Sequence, residues 1–216
     1  MKQKIGILGT GDVGQALAKG FLQYGHQVMV GSRSPDKLAA MRSSLGSTLS
    51  TGTLKETAAF GEVIVLAVKG TAARETSLAV GTDLLAGKVV IDTTNPIADA
   101  APVNGVLQFF LGRNESLLEQ LQQAVPGARF VKAWSCVGHV HMVDPKFTDG
   151  KPTMFICGND PPAKAVVSGL LKAFGWEAVD MGEVESARAI ESLCQLWCIP
   201  GIRSNRWNHA FKLLQG

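Results

Sequence analysis

No stretch of this sequence is apolar for long enough to cross a membrane. The longest apolar runs, such as Val63 to Val68, are of strand length, far short of the ~20 residues a spanning helix needs. Basic runs are missing too. The formal charge is only +3 and the Lys and Arg residues are scattered, so nothing tracks a phosphate backbone and nucleic acid is not expected as a partner. The four cysteines, Cys136, Cys157, Cys194 and Cys198, include no Cys-x-x-Cys pair. Cys194 and Cys198 stand four apart, on one helix face, which argues against a zinc knuckle and for buried, reduced thiols. Internal repeats and low-complexity tracts are also absent. Met1-Lys2-Gln3-Lys4 runs straight into a strand and leaves no room for a signal peptide. The expectation is a cytoplasmic protein with no membrane partner.

What remains is a chain rich in core-forming residues, 46% hydrophobic against 18% charged, and therefore globular. Ile5 to Leu8 reads as a central parallel strand. After a glycine loop, Val13, Ala16, Leu17, Gly20, Phe21 and Tyr24 recur at helical spacing and give one buried stripe. Val28 to Val30 is the second strand, and Ser34-Pro35 opens the next helix. Further strands are expected at Val63 to Val68, Val89 to Asp92, Phe130 to Ala133, Thr153 to Cys157 and Glu177 to Asp180. Helices are expected at Thr71 to Leu85, Ser116 to Val125 and Pro162 to Phe174, with a long loop from Asn95 to Asn114. From Val184 onward the pattern is helical, interrupted near Pro200-Gly201, with His209 in the final helix. Strands alternating with helices imply an α/β fold with a Rossmann-type, doubly wound, mostly parallel sheet. The organisation expected is a nucleotide-binding domain over residues 1–182. A helical segment over 183–216 would pack on the same domain or at a dimer interface.

Gly9-Thr10-Gly11-Asp12-Val13-Gly14 fits G-x-G-x-x-G, and its context is right, with a strand before it and an amphipathic helix after. Gly9 allows the tight turn, Gly11 lets the backbone approach a pyrophosphate, and Gly14 lets helix and strand pack closely. An anion there meets unpaired N–H groups at the positive end of the helix. The second strand then decides the cofactor. An NAD site places Asp or Glu at its end to bond the ribose hydroxyls, whereas this chain has Gly31-Ser32-Arg33. A guanidinium attracts the 2′-phosphate of NADP and can bond two of its oxygens. Ser32, Lys37 and Thr10 add donors, so NADP(H) is the expected cofactor.

These segments resemble the deazaflavin-dependent NADP oxidoreductase family, and are similar to the cytoplasmic reductase domain of the STEAP metalloreductases. Asp92-Thr93-Thr94-Asn95-Pro96, Val131-Lys132-Ala133-Trp134, Phe155-Ile156-Cys157-Gly158 and Val179-Asp180-Met181-Gly182 extend the resemblance over nearly the whole chain. It implies a homodimeric NADP(H) enzyme. Thr10, Asp12, Val13, Ser32, Arg33 and Lys37 would hold the phosphate end, with Ala67, Val68, Asn95 and Ala133 towards the nicotinamide. The chain departs from the deazaflavin enzymes at Ser135 and at Lys69-Gly70, where they carry a histidine and a Pro-Trp pair.

Hydride transfer between a nicotinamide and a flavin-like ring needs stacking and distance control more than acid–base groups. In keeping with that, no catalytic set stands out and no metal site is assigned. Trp134, Ser135 and His139 follow Ala133 and are expected to line the acceptor space, with Asp92 pointing away and no carboxylate in reach. His139-Val140-His141 is the one motif suggestive of metal or proton chemistry. The function expected is an NADP(H)-dependent oxidoreductase passing hydride to a small-molecule redox acceptor, with a deazaflavin or flavin as co-substrate. Two alternatives stand beside it. One is an NADP(H)-binding sensor without turnover. The other is a small relative of the β-hydroxyacid dehydrogenases or imine reductases, which usually need about a hundred further helical residues.

Overall fold

The run Ile5–Leu8 forms the middle of a six-stranded sheet because its alternate residues are buried on opposite faces. In the computed structural model, which describes residues 2–214, β1 (Lys4–Leu8) pairs in parallel with β2 (Gln27–Gly31) on one side and β4 (Val63–Leu66) on the other. With β3 (Ser50–Gly52), β5 (Val89–Asp92) and β6 (Arg129–Lys132), the order is β3-β2-β1-β4-β5-β6, all parallel. The chain direction reverses across the sheet between β1 and β4, and such a switch point opens a crevice at the carboxyl ends of the strands.

Helices cover both faces. Ile5, Ile7, Val63 and Val65 pack with Leu17 and Phe21 of α1 (Asp12–Gln23), Met41 of α2 (Pro35–Leu45) and Val167 and Leu171 of α7 (Pro161–Ala173). Leu8, Ile64 and Leu66 pack on the other face with Ala58 of α3 (Leu54–Phe60), Ala73 and Val80 of α4 (Gly70–Val80), and Leu118 and Leu121 of α6 (Leu117–Ala124). The predicted helix over 71–85 is two helices, because Gly81 takes φ +106° between α4 and the short α5 (Thr82–Leu85). A second, two-stranded parallel sheet joins β7 (Thr153–Ile156) to β8 (Glu177–Asp180). A single antiparallel bridge, Lys132 to Cys157, links it to the main sheet.

The C-terminal region departs from the sequence reading. Helix α8 (Ala187–Ser204) runs through Pro200 without a break and ends at Asn205, which takes the left-handed conformation (φ 50°). Residues 205–214 are neither helix nor strand, and His209 lies in this irregular segment, its N–H donating to Trp207 O (3.2 Å). Packing overrides the cost of the missing N–H. The Trp207 ring lies so close over Gly201 that a Cβ there would sit 2.2 Å from it. Trp197 stacks on His209, with ring centroids 4.9 Å apart, and donates its Nε1–H to the His209 carbonyl. The segment then reaches β7, where Thr153 N–H donates to Phe211 O (2.8 Å) and Leu213 N–H to Thr153 Oγ1 (3.0 Å). Helix α8 packs on the main sheet's second face through Ala187 and Ile190.

Candidate functional site

At the carboxyl ends of β1, β2, β4 and β5 lies a cleft of about 980 Å³, within the size range of cofactor sites. Its floor is the glycine turn. Gly9 has φ +128°, and a Cβ there would meet Ala67 O at 2.1 Å, while a Cβ on Gly14 would meet Gly9 O at 2.4 Å. Both positions therefore require glycine: the first for conformation and close approach, the second for helix-on-turn packing. Gly11 differs. It has extended backbone (φ −73°, ψ −178°) as the residue capping α1, and a Cβ on it would meet nothing within 4 Å. Its freedom lies over open cleft, the place where a phosphate would approach the first N–H groups of α1.

The other lining residues come from three directions. Ser32, Arg33 and Lys37 stand at the end of β2 and the start of α2. Leu54, Ala67, Val68, Lys69, Thr71 and Thr76 line it from α3 and from β4 into α4. Thr93, Asn95, Ile97, Ala98 and Asp99 follow β5, and His139 comes from the segment after β6. Thr10, Asp12 and Val13 complete the loop side. Arg33 reaches across to Glu75 of α4 (3.5 Å), and Lys69 pairs with Asp99 (3.4 Å). Asn95 donates its Nδ2–H to Ser135 O (2.8 Å), but its Oδ1 is buried without a partner. An unpaired buried acceptor is costly, so this atom is a natural seat for a ligand donor. Gly70 permits the fit, since a Cβ there would lie 1.8 Å from Asn95 O. The loop, the open space over Gly11, the basic set at β2 and the orphan Asn95 Oδ1 all fit a dinucleotide with a 2′-phosphate.

Three residues expected at the nicotinamide end are not in the cleft. Ala133 is fully buried and Ser135 nearly so, and neither lines it. Trp134 does not wall a pocket. It is 1% exposed and packs at 6.4 Å from the Phe21 ring and 5.9 Å from that of Phe174. With its φ at +55°, the chain turns back into the core immediately after β6. Val68, Lys69, Asn95, Ile97, Ala98, Asp99 and His139 do line the cleft. Asp99 lines the cleft with a carboxylate, whereas Asp92 does not line it and is turned to Lys132.

Asp92 belongs to a buried ion cluster that the sequence pattern did not reveal. Lys132 Nζ lies 2.5 Å from Asp92 Oδ2 and 2.7 Å from Glu191 Oε1, and donates to Thr94 O (2.8 Å). Burial alone would push the Lys132 ammonium down, but the two carboxylates outweigh it and hold its pKa above the ordinary lysine value. Glu191 also accepts from Leu117 and Leu118 N–H at the start of α6, and Asp92 accepts from Thr94 N–H and Oγ1–H. The cluster fixes the Thr93–Asn95 wall of the cleft from below and ties α8 to the sheet. The available signal was a charged residue ending each of two apolar strands. Among the described residues, no group of three or more His, Cys, Asp or Glu side chains is arranged to hold a metal ion, and no helix is long and apolar enough to cross a membrane.

Comparison with known proteins agrees with this geometry. Residues 4–96 match the family described as NADP oxidoreductase, coenzyme F420-dependent. The chain is 34% identical over 205 residues to metalloreductase STEAP3 of Rattus norvegicus, covering 91% of this chain and 38% of that protein. It is 29% identical over 197 residues to metalloreductase STEAP2 of Homo sapiens, covering 89% and 36%. The chain thus spans less than two-fifths of the length of these relatives. A structure from Arthrobacter sp. FB24, provisionally designated an F420-dependent NADP-reductase, superposes with a TM-score of 0.91 at 29% identity, covering 99% of this chain and 100% of that one. A reductive aminase from Aspergillus terreus shares the fold alone (TM-score 0.64, 21% identity), and this chain matches only 61% of its length. By sequence and by fold, the chain is similar to the coenzyme F420-dependent NADP oxidoreductases over residues 4–96 and to the STEAP metalloreductases over about nine-tenths of its length.

Proposed function

We propose that this protein binds NADP(H) in the cleft and passes hydride between it and a planar flavin- or deazaflavin-type acceptor. One observation carries the reading. A glycine turn open over Gly11 is followed, at the end of β2, by Ser32 and Arg33 with no carboxylate. NADPH, when bound, supplies the hydride. The protein's part is to bind, orient and shield. N–H groups at the start of α1 take the pyrophosphate, and Ser32, Arg33 and Lys37 take the 2′-phosphate. Asn95 Oδ1 accepts a hydrogen bond at the nicotinamide end, and Val68 and Ile97 keep water from that end. The acceptor enters past Lys69, Asp99 and His139, and no side chain is required as acid or base. The departure from the deazaflavin enzymes at Lys69-Gly70 and Ser135 leaves both flavin and deazaflavin as acceptor classes. The resemblance also supports a homodimer in the cytoplasm, which light scattering and fractionation would check.

The test has two stages. NADPH and NADH are titrated separately, and at least tenfold tighter binding of NADPH is expected. Absorbance at 340 nm is then followed against flavin, deazaflavin, quinone and ferric acceptors. Equal titration curves for the two nucleotides would remove the NADP reading. Tight NADPH binding with no oxidation by any acceptor would favour a sensor over an enzyme.

A further inference from the structure

A carboxylate beside the cleft is needed by neither the glycine motif nor the hydride chemistry. Glu75 lies on α4 one turn beyond Thr71 and next to Thr76, both of which line the cleft. Its Oε1 is 3.5 Å from Nη1 of the cleft-lining Arg33, so the ion pair ties the β2 end of the cleft to α4. The two side chains are 72% and 75% exposed, and both heads are free to swing. Among the described residues, this is the one acidic partner of Arg33. We propose that Glu75 sets how strongly and how selectively the cleft takes a 2′-phosphate, by acting as the counter-charge of Arg33 until the phosphate displaces it. The inference rests on the NADP reading above.

The physics is a competition. A guanidinium bonded to a carboxylate has fewer donors free for a phosphate. A phosphate carries about −1.5 to −2 charges near neutral pH, so it wins the guanidinium, but the displaced carboxylate stays beside it as a like charge. Glu75 therefore weakens binding of any nucleotide with a 2′-phosphate. It does nothing comparable to one with a 2′-hydroxyl, which a carboxylate can accept from. Exposed pairs of this kind couple weakly, so the effect is a few-fold. It also falls with salt, because both charges lie in water.

Glu75→Gln keeps the shape and removes the charge at an exposed helix position, so folding is not at risk. Isothermal titration of wild type, Glu75→Gln and the remote control Glu185→Gln would use NADPH, NADH, 2′,5′-ADP and 5′-AMP, at low and high salt. At low salt, Glu75→Gln is expected to bind NADPH and 2′,5′-ADP about two- to fivefold tighter, with NADH and 5′-AMP no tighter. The control should match wild type, and the gain should vanish in about 1 M salt. Unchanged or weaker NADPH binding in Glu75→Gln would overturn the proposal. So would equal tightening of NADH, or the same gain in Glu185→Gln. If wild type bound NADH as well as NADPH, the NADP reading itself would fall, a result visible before any variant is made.

Discussion

Replacing Lys132 by Met tests whether the buried cluster is held by charge balance. The wild-type cluster has one ammonium against two carboxylates, all shut off from water. Lys132→Met fills similar space but leaves Asp92 and Glu191 without a cation. Breaking a buried pair from one side costs roughly 3–5 kcal/mol, a large part of a total stability of about 5–15 kcal/mol. For a chain of this length each kcal/mol moves the melting temperature by about 2–4 °C, so a fall of about 6–20 °C is expected. Glu191→Gln is the informative partner. It leaves a one-to-one Lys132–Asp92 pair, and an amide oxygen still accepts from Leu117 or Leu118 N–H. Its loss should be clearly smaller than that of Lys132→Met. The pH dependence follows from the raised Lys132 pKa. The folded state holds this proton more tightly than the unfolded chain, so the contribution is complete below the ordinary lysine pKa of about 10.4. It is lost only as pH rises through the higher folded value. The wild-type contribution is therefore constant from pH 6 to 9, and the gap in melting temperature to Lys132→Met, by circular dichroism melts, should narrow only as falling pH protonates the variant's uncompensated buried carboxylates. A Glu191→Gln variant as unstable as Lys132→Met would refute the charge-balance argument.

Arg33→Ala should weaken NADPH by about tenfold, the lower end of what a charge-assisted contact of about 1.5–3 kcal/mol allows, because the side chain is mostly in water; NADH binding, measured by the same fluorescence titration, should not change. Gly11→Val should abolish NADPH binding with the circular dichroism spectrum intact, since its Cβ meets open space in the fold; Gly9→Ala should instead lower the melting temperature, because its Cβ meets Ala67 O. Cys198 should react first with a thiol reagent, because it is half-buried and the Cys194 thiol beside it lowers its pKa, whereas burial pushes Cys136 and Cys157 up to about 12; labelling with mass mapping at pH 8 decides this, and Cys157 reacting at the rate of Cys198 would contradict it. Ser135→Phe should unfold or strongly destabilise the chain in circular dichroism melts, since Ser135 is buried.

Much of the fold was legible because its signals are local. Runs such as Val63–Leu66 are apolar throughout because both faces of a parallel sheet are covered, and the glycine spacing at Gly9, Gly11 and Gly14 answers to contacts within one turn. That Ser32 and Arg33 line the cleft was legible for the same reason, since they follow β2 directly. The place of Trp134 was not. Whether Trp134 faces cleft or core depends on Phe21 and Phe174, more than thirty residues away on either side, and on one positive φ that no neighbouring residue announces. Pro200 read as a helix break because the packing of Trp207 on Gly201 cannot be seen in the pattern. The cluster of Asp92, Lys132 and Glu191 joins two strand ends to a helix some sixty residues further on, and only topology brings them together.

The irregular segment after α8 governs how this protein can be handled and how it fails. By meeting Thr153 at the start of β7, residues 211–213 satisfy its backbone N–H and its side-chain hydroxyl. A chain cut after Ser204 would keep every strand and helix, yet it would expose those groups and remove the cover over Trp197. Unpaired strand edges beside bare aromatic surface are templates for self-association. Such a truncation is expected to leave secondary structure nearly unchanged while turning a dispersed protein into one that aggregates.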